Sequence, residues 1–270
     1  MPPRVGSQTR VAQVTTPKPT RVAQIQPKPR QTPQPVKSNS SNAVRGEVAN
    51  YGSQRKQQIQ RNLERGGNII GNTAKGIEMD RKVPQRFRLE PPRGATVTGI
   101  RDTQAGKVRG TPPKPVGDWV IRADKAHKGT NYPHINRNPQ ITKVPDPHTP
   151  ISARTLNGLG RTARVLNVAG KIARPVAIAV DAGRLVNAYN RDGNRIGKNT
   201  IRTTGSVAGG WGGAAAGAWG GAKAGAIIGT FVGGPAGTAV GGLIGGIVGG
   251  IGGAFIGSWA GEKAANSVTR

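Results

Sequence analysis

The sequence contains no cysteine, which excludes disulfides, cysteine-ligated zinc and thiol catalysis. Aromatic residues make up 4% of the chain and apolar residues 34%, too few for a large conventional core. The 42 glycines and 21 prolines further reduce the number of positions suited to the interior of a helix or strand. We therefore expect one compact region at most. No apolar run follows Met1, so secretion or delivery would proceed without a cleavable signal peptide.

Acidic residues are also scarce, with 12 Asp and Glu against 40 Lys and Arg and a formal net charge of +28. A charge of this size implies an acidic partner. Anionic membrane lipids and nucleic acid are two candidate classes, and a neutralising or carrier protein is a third. Charge alone does not choose among them.

The first part of the chain is predicted to be a disordered, basic, proline-rich arm over residues 1–46. This stretch contains no acidic residue, and its Pro-x-Pro spacing favours polyproline II and disfavours helix. A five-residue pattern at 9–13 recurs at 20–24. Such an arm serves as a solubilising linker or as a docking peptide. Residues 47–85 are predicted to form a polar helix, at 47–65, followed by a linker.

Residues 86–152 are predicted to form a small β-rich module that contains all three histidines. The stretches 86–89, 96–100 and 118–124 alternate or are rich in β-branched residues, which indicates strands. The proline-rich stretch after 124 is expected to be irregular.

Residues 153–202 are predicted to be a helical linker. One helix is expected at 155–173, and Pro175 suits the first turn of a second helix. The residues at 191–194 form a turn signal.

The most specific pattern is a glycine at every fourth position, repeated fifteen times near the C-terminus. This glycine row consists of Gly205, Gly209, Gly213, Gly217, Gly221, Gly225, Gly229, Gly233, Gly237, Gly241, Gly245, Gly249, Gly253, Gly257 and Gly261. Positions i and i+4 share a helix face, so the row is a groove without side chains into which another helix can pack closely. Each glycine destabilises a helix in water by about 1 kcal/mol relative to alanine, so packing or a membrane must stabilise the segment.

Residues 203–270 are therefore predicted to form an α-helical glycine-zipper hairpin. The sequence Gly-Gly-Pro at 233–235 interrupts the row and implies helices near 206–231 and 237–262. Each helix would reach roughly 39 Å, enough to cross a hydrocarbon core of about 30 Å. Lys223 is the one charged residue between 203 and 261.

Trp211 and Trp259 are predicted to lie together at the open end of the hairpin, as anchors at a membrane interface. The alternative is a soluble or oligomeric glycine-packed bundle, including a homo-oligomer, that never contacts lipid. Lys223 and the weak hydrophobicity of 206–226 favour that alternative.

The three histidines, His127, His134 and His148, fall within 22 residues of one another. Histidine suits acid–base chemistry near neutral pH, and carboxylates lie nearby. The candidate catalytic residues are His127, His134, Asp118 and Asp124. The alternative is a structural role in proline-rich turns. The histidine spacing matches no metal motif and no established catalytic motif occurs, so no metal or cofactor is assigned and enzymatic activity is left open.

Several stretches resemble bacterial polymorphic-toxin-type effectors with a C-terminal glycine-zipper domain. The resemblance rests on 117–122, 132–136 and 145–152, and in the tail on 180–185, 192–193, 207–211 and 245–250. It implies an effector aimed at competing cells and usually paired with a neutralising protein. Together with the apolar hairpin, this makes the membrane of the target cell the expected location.

The expected fold is therefore a mostly disordered N-terminal arm, a small α+β module and a C-terminal glycine-zipper hairpin. The favoured function is a membrane-active effector whose hairpin inserts into or associates with a bilayer. The alternatives are a nuclease-type toxin that uses His127, His134 and His148, and a non-catalytic basic structural or nucleic-acid-binding protein.

Overall fold

The computed structural model describes residues 40–269, so most of the predicted arm lies outside the described residues. Contacts divide the chain into two units, Met1–Gly52 and Ser53–Arg270, and all packing discussed below lies in the second. Helix α1 spans Ser40–Lys82 and is longer than predicted at both ends. Its buried positions include Asn72 and Lys75, which are polar. Among the described residues of the helix, Ala74 is the one apolar side chain other than glycine on this buried face, so the face shows no hydrophobic periodicity, and the sequence pattern predicted too short a helix.

The α+β module is built on a five-stranded antiparallel sheet in the order β1-β2-β5-β6-β7. Its strands and short helix are β1 (Phe87–Glu90), β2 (Thr96–Asp102), β5 (Asp118–Asp124), β6 (His134–Arg137), α2 (Pro139–Thr142) and β7 (Thr149–Pro150). The first three of these strands confirm the predicted ones. A two-stranded ribbon pairs β3 (Val108–Arg109) with β4 (Lys114–Pro115).

Strand β6 lies in the stretch that was expected to be irregular. Its residues alternate between buried and half-buried, as a strand requires. The two buried positions are His134 and Asn136, so the alternation is not one of hydrophobicity. A search for alternating apolar residues therefore misses it.

Helix α3 spans Ala153–Arg191 without a break, so the prediction of two helices divided at Pro175 is wrong. Gly170 and Ala173 before the proline and Ala177 after it are buried. Packing on both sides of Pro175 holds the helix through a residue that lacks an N–H donor. Arg81 of α1 donates to the Gly170 carbonyl and joins α1 to α3 at this level.

The predicted turn after α3 is present, and Asp192 organises it. The Asp192 carboxylate accepts the backbone N–H groups of Gly197, Asn199 and Thr200 at 2.7–3.2 Å. It thus satisfies free donors at the start of the next helix. The positive φ angles of Gly193 and Asn194 complete the reversal.

Helix α4 spans Lys198–Val268 and is the longest element. Its backbone is non-helical at Gly233 and Gly234, where Gly234 has φ 57°, which confirms the predicted interruption. Gly234 adopts the left-handed region that glycine tolerates best. The two helical parts, 198–232 and 235–268, are called the first and second arms. Both arms extend beyond their predicted bounds.

The two arms meet backbone to backbone along the glycine row. A methyl group added at Gly217 would come closer than 3.0 Å to the Gly249 carbonyl, a separation that real Cβ atoms essentially never show. Six further pairs behave in the same way, namely Gly205–Gly261, Gly209–Gly257, Gly213–Gly253, Gly221–Gly245, Gly225–Gly241 and Gly229–Gly237. As the first number rises the second falls, so the arms run in opposite directions.

The arms also pack on the sheet and on α1. Phe87, Ile100 and Val120 of the sheet form a buried cluster with Ala239 of the second arm. A Cβ at Gly242 would lie 2.7 Å from the Phe87 ring. Gly76 of α1 faces the backbone of Ile251 and Gly250 at a similarly close approach. Small residues thus allow α1, the sheet and the arms to share one core.

We predict that Gly217→Ala lowers the free energy of unfolding by about 3 kcal/mol, because its methyl group forces the two backbones apart. Gly252→Ala is the matched control, since nothing lies within 4 Å of a Cβ at that position. The control should raise the free energy of unfolding by about 0.5–1 kcal/mol through helix propensity. Urea denaturation measures both values. Equal effects from the two variants would contradict the observed packing.

Candidate functional site

The histidines converge at one end of the sheet. Asp124 ends β5 and pairs with His134, the first residue of β6. His134 also pairs with Pro150 of β7, which places His148 beside it. His127 lies in the connection between β5 and β6, where it forms a bridge with Thr130. Strand register therefore brings together residues from three separate parts of the sequence.

Ring contacts define this histidine cluster. The His134 ring centroid lies 5.1 Å from that of His127 and 5.3 Å from that of His148. Tyr132 contacts His134 edge-on at 5.8 Å. His134 is fully buried and is therefore the centre of the cluster.

One ring nitrogen of His134 is already engaged. Its Nδ1 lies 2.8 Å from the Tyr132 carbonyl oxygen, which can only accept, so Nδ1 donates. In the neutral ring, Nε2 then carries the lone pair. That Nε2 atom is buried and has no hydrogen-bond partner.

The other two histidines are arranged in the same way. His127 Nδ1 lies 3.0 Å from the Lys128 carbonyl. His148 Nδ1 lies 2.7 Å from Asn136 Oδ1, while the amide of Asn136 donates to Asp124 Oδ2 at 2.6 Å. Each histidine thus donates from Nδ1 and has Nε2 available as a base or ligand.

Asp124 supplies the acidic group of the cluster. Asp124 as a residue is 2% exposed, and Arg122 Nη2 lies 3.3 Å from its Oδ2 atom. Arg122 and Asn136 together hold Oδ2, whereas Oδ1 is buried without a partner. Asp124, His127 and His134 each offer one ligand atom, and these three atoms lie within 4.8 Å of one another. The cluster is therefore suited to proton transfer or to cation binding.

The structure brings together three of the four predicted catalytic residues, His127, His134 and Asp124. Asp118 is not among them, because it begins β5 and Asp124 ends it, about 20 Å away in an extended strand. The Asp118 carboxylate instead accepts the Trp119 N–H at 2.8 Å. Asn136 was not assigned a role. Its position two residues after His134 indicates a place in the cluster, because residues two apart in a strand have their side chains on the same face.

A second polar cluster lies between α1, α3 and the first arm. Lys75 is fully buried, and its Nζ lies 2.7 Å from Asp181 Oδ1. Desolvation lowers the pKa of Lys75, while the hydrogen bond and charge of Asp181 oppose that shift. Trp211 donates its indole N–H to Asp181 Oδ2 at 2.9 Å, and Ser206 accepts from Arg184 at 3.0 Å.

This arrangement bears on the two predicted interface anchors. The indole N–H of Trp211 is used inside the protein, so its assignment as a lipid-facing anchor does not fit this structure. Trp259 is 60% exposed, and Lys263 Nζ lies 4.2 Å from its ring centroid. Trp219 is likewise exposed, and its ring centroid lies 3.5 Å from Lys223 Nζ.

The solvent-exposed surface of the two arms is called the outer face. It exposes large apolar residues along the second arm and around the interruption, where Phe231 is 88% exposed. Its large apolar members are Trp219, Ile227, Ile228, Phe231, Val232, Ile244, Val248, Ile256 and Trp259. Among residues 40–269, α4 is the one helix long and apolar enough to cross a membrane by length and composition.

We predict that all three histidines are Nδ1–H tautomers when their rings are neutral, because each Nδ1 faces an oxygen acceptor. Long-range ¹H–¹⁵N NMR correlations distinguish the two tautomers. Replacing Asn136 with alanine should change the His148 pattern and leave that of His127 unaltered. Nε2–H forms at His134 and His148 in the original protein would contradict this geometry.

Comparisons with known proteins find a similarity that covers the sheet, the end of α1 and the first part of α3. The family described as C13G5.2-like N-terminal domain matches residues 72–169. A Caenorhabditis elegans protein, described as uncharacterized protein C13G5.2, is 34% identical over 95 residues, or 34% of this chain. The chain spans 27% of the length of that relative. No solved structure matches. The family match includes the whole histidine cluster and ends before the glycine row.

Proposed function

We propose that the protein is a membrane-active effector whose α4 is a glycine-zipper hairpin that inserts into or associates with a lipid bilayer. The observation that carries this proposal is the outer face, an extended apolar surface that nothing in residues 40–269 covers. Exposed apolar patches of this kind mark membrane or protein contacts. The resemblance to polymorphic toxins adds the proposals that the target is a competing cell and that a neutralising protein accompanies the effector.

The charge distribution favours anionic lipid as the occupant of the outer face. The chain carries a formal charge of +28, and anionic surfaces attract basic segments. Lys223 and Lys263 each lie over an exposed tryptophan ring. Tryptophan prefers the level of the lipid headgroups, and lysine can extend from there to the phosphates. Both pairs thus suit a helix that contacts the bilayer along its side.

The side of the hairpin that packs against the rest of the protein is called the inner face. Its contacts favour surface association before insertion. That face packs against α1 and α3, where Lys75 and Asp181 are buried as an ion pair. Charged groups are destabilising in hydrocarbon by several kcal/mol each. Contact through the outer face leaves the pair inside the protein. Insertion of both arms would require α4 to separate from α1 and α3, and we propose that this is a second step.

We predict that the double variant Ile244→Ser with Val248→Ser binds phosphatidylglycerol-containing vesicles at least tenfold more weakly than the original protein. These side chains are 55% and 62% exposed, so folding should be little affected. The matched control is Val165→Ser with Val168→Ser on α3, at 65% and 56% exposure. Vesicle co-sedimentation and dye release measure the effect, and the control should behave as the original protein.

Two results would contradict the membrane proposal. One is unchanged vesicle binding by the outer-face variant. The other is self-association without lipid binding. In that case neither protein binds vesicles, and sedimentation shows that the original protein is an oligomer and the outer-face variant is not. That second result would support the soluble glycine-packed bundle.

A second candidate function is cleavage of nucleic-acid phosphodiester bonds at the histidine cluster. It is favoured by the three available Nε2 atoms beside a buried carboxylate. One neutral histidine can accept a proton while a protonated one donates, and cationic side chains bind phosphates. This function and lipid association use different parts of the molecule and do not exclude each other.

We predict that, if this second function is correct, RNA or DNA is cleaved in the presence of divalent metals and that His127→Ala reduces the rate at least 100-fold. His127 is exposed, so its replacement should leave the fold intact. Asp118→Asn is the control, because Asp118 lies at the other end of β5, and it should keep the original rate. Salt-sensitive binding without cleavage would reject the nuclease and support a non-catalytic nucleic-acid-binding protein.

A further inference from the structure

We propose that Asp124, His127 and His134 bind one divalent transition-metal ion of the zinc class. The inference goes beyond the membrane proposal and does not depend on it, because the ligands lie in the sheet module. It also holds whether or not the cluster cleaves nucleic acid. Two imidazoles and one carboxylate are ligands that Zn²⁺ accepts, and three protein ligands leave a fourth position for water.

Two buried atoms without partners carry the proposal. His134 Nε2 and Asp124 Oδ1 are both buried and unpaired, and their residues are 0% and 2% exposed. An unsatisfied buried polar atom destabilises the fold, and does so more strongly when the group is charged. A shared cation satisfies both atoms at once.

The surrounding hydrogen bonds already present the ligand atoms. Tyr132 and Lys128 accept the Nδ1 protons of His134 and His127 through their backbone carbonyls, which leaves each Nε2 lone pair free to bind a cation. Metal-bound histidines commonly make this kind of second hydrogen bond. Asn136 and Arg122 occupy Asp124 Oδ2 and leave Oδ1 for the ion.

The distances require one small movement. The three ligand atoms lie within 4.8 Å of one another, whereas tetrahedral zinc with bonds of about 2.0–2.1 Å places its ligands about 3.3 Å apart. His134 and Asp124 are held in paired strands, but His127 is exposed in a connecting segment. His127 is therefore the ligand that can close on the ion.

Arg122 lowers the affinity of the site for a cation. Its guanidinium lies 3.3 Å from the same carboxylate and repels a cation electrostatically. The ring of Trp119 lies 4.0 Å from the Arg122 guanidinium carbon and holds the side chain in place. Arg122→Gln should accordingly strengthen metal binding, whereas loss of a ligand should weaken it.

The test is titration of the full-length, chelator-treated protein with ZnCl₂ in a calorimeter. One Zn²⁺ per chain is expected, and His127→Ala should weaken binding at least 100-fold. Asp124→Asn, which retains the shape of the side chain, should weaken binding at least tenfold. His148→Gln is the control and should change the affinity less than tenfold, because His148 is not among the three ligands.

A spectroscopic measurement separates ligation from a structural effect. Co²⁺ in place of Zn²⁺ should give the visible absorption of a low-coordinate site, and His127→Ala should remove it while the circular dichroism stays unchanged. The proposal is overturned if no stoichiometric binding occurs or if His127→Ala binds as tightly as the original protein. Equal loss from His148→Gln would also overturn the assigned ligand set. None of these results bears on vesicle binding.

Discussion

The rest of the structure depends on the contact of two helical backbones along a row of glycines. Seven pairs, from Gly205–Gly261 to Gly229–Gly237, leave no room for a methyl group between the arms. Glycine is a poor helix former in water, so the row is compatible with helix only where packing compensates for it. Small residues also permit close contacts between the arms and the rest of the protein, at Gly76 of α1 and at Gly242 of the second arm.

This packing divides the molecule into two chemically different regions. On the inner face, the thin arms allow α1 and α3 to come close enough to bury Lys75 with Asp181 and to capture the Trp211 indole. On the outer face, large apolar side chains have no cover among the described residues. The histidine cluster lies apart from both, at the end of the sheet where β5, β6 and β7 meet. The family match includes this sheet and not the glycine row, so the two proposed functions lie in different parts of the chain.

Sequence patterns predicted those features that depend on a residue type directly. Glycine periodicity and the interruption at 233–235 could be found because only glycine permits the contact and only glycine or proline marks such a break. Strand β5 could be found from its β-branched and aromatic content. The extent of α1 and the presence of β6 could not, since their buried faces consist of polar residues such as Lys75 and His134.

Other features depended on tertiary packing. The passage of α3 through Pro175 follows from the buried alanines around it, which no local rule records. The grouping of His127, His134 and Asp124 was predicted from proximity in sequence, and the same reasoning wrongly included Asp118 at the far end of one strand. Strand direction and register, rather than sequence distance, decided which carboxylate joined the histidines.

The most direct test of the central claim is a distance between spin labels at Gly212→Cys and Gly252→Cys. Both positions have open space around them, and the chain has no other cysteine to label. Pulsed electron resonance should give a separation below about 20 Å, because packed helices have axes about 8–10 Å apart and the labels add to that distance. A separation near 60 Å, expected for 40 residues of uninterrupted helix, would contradict the account.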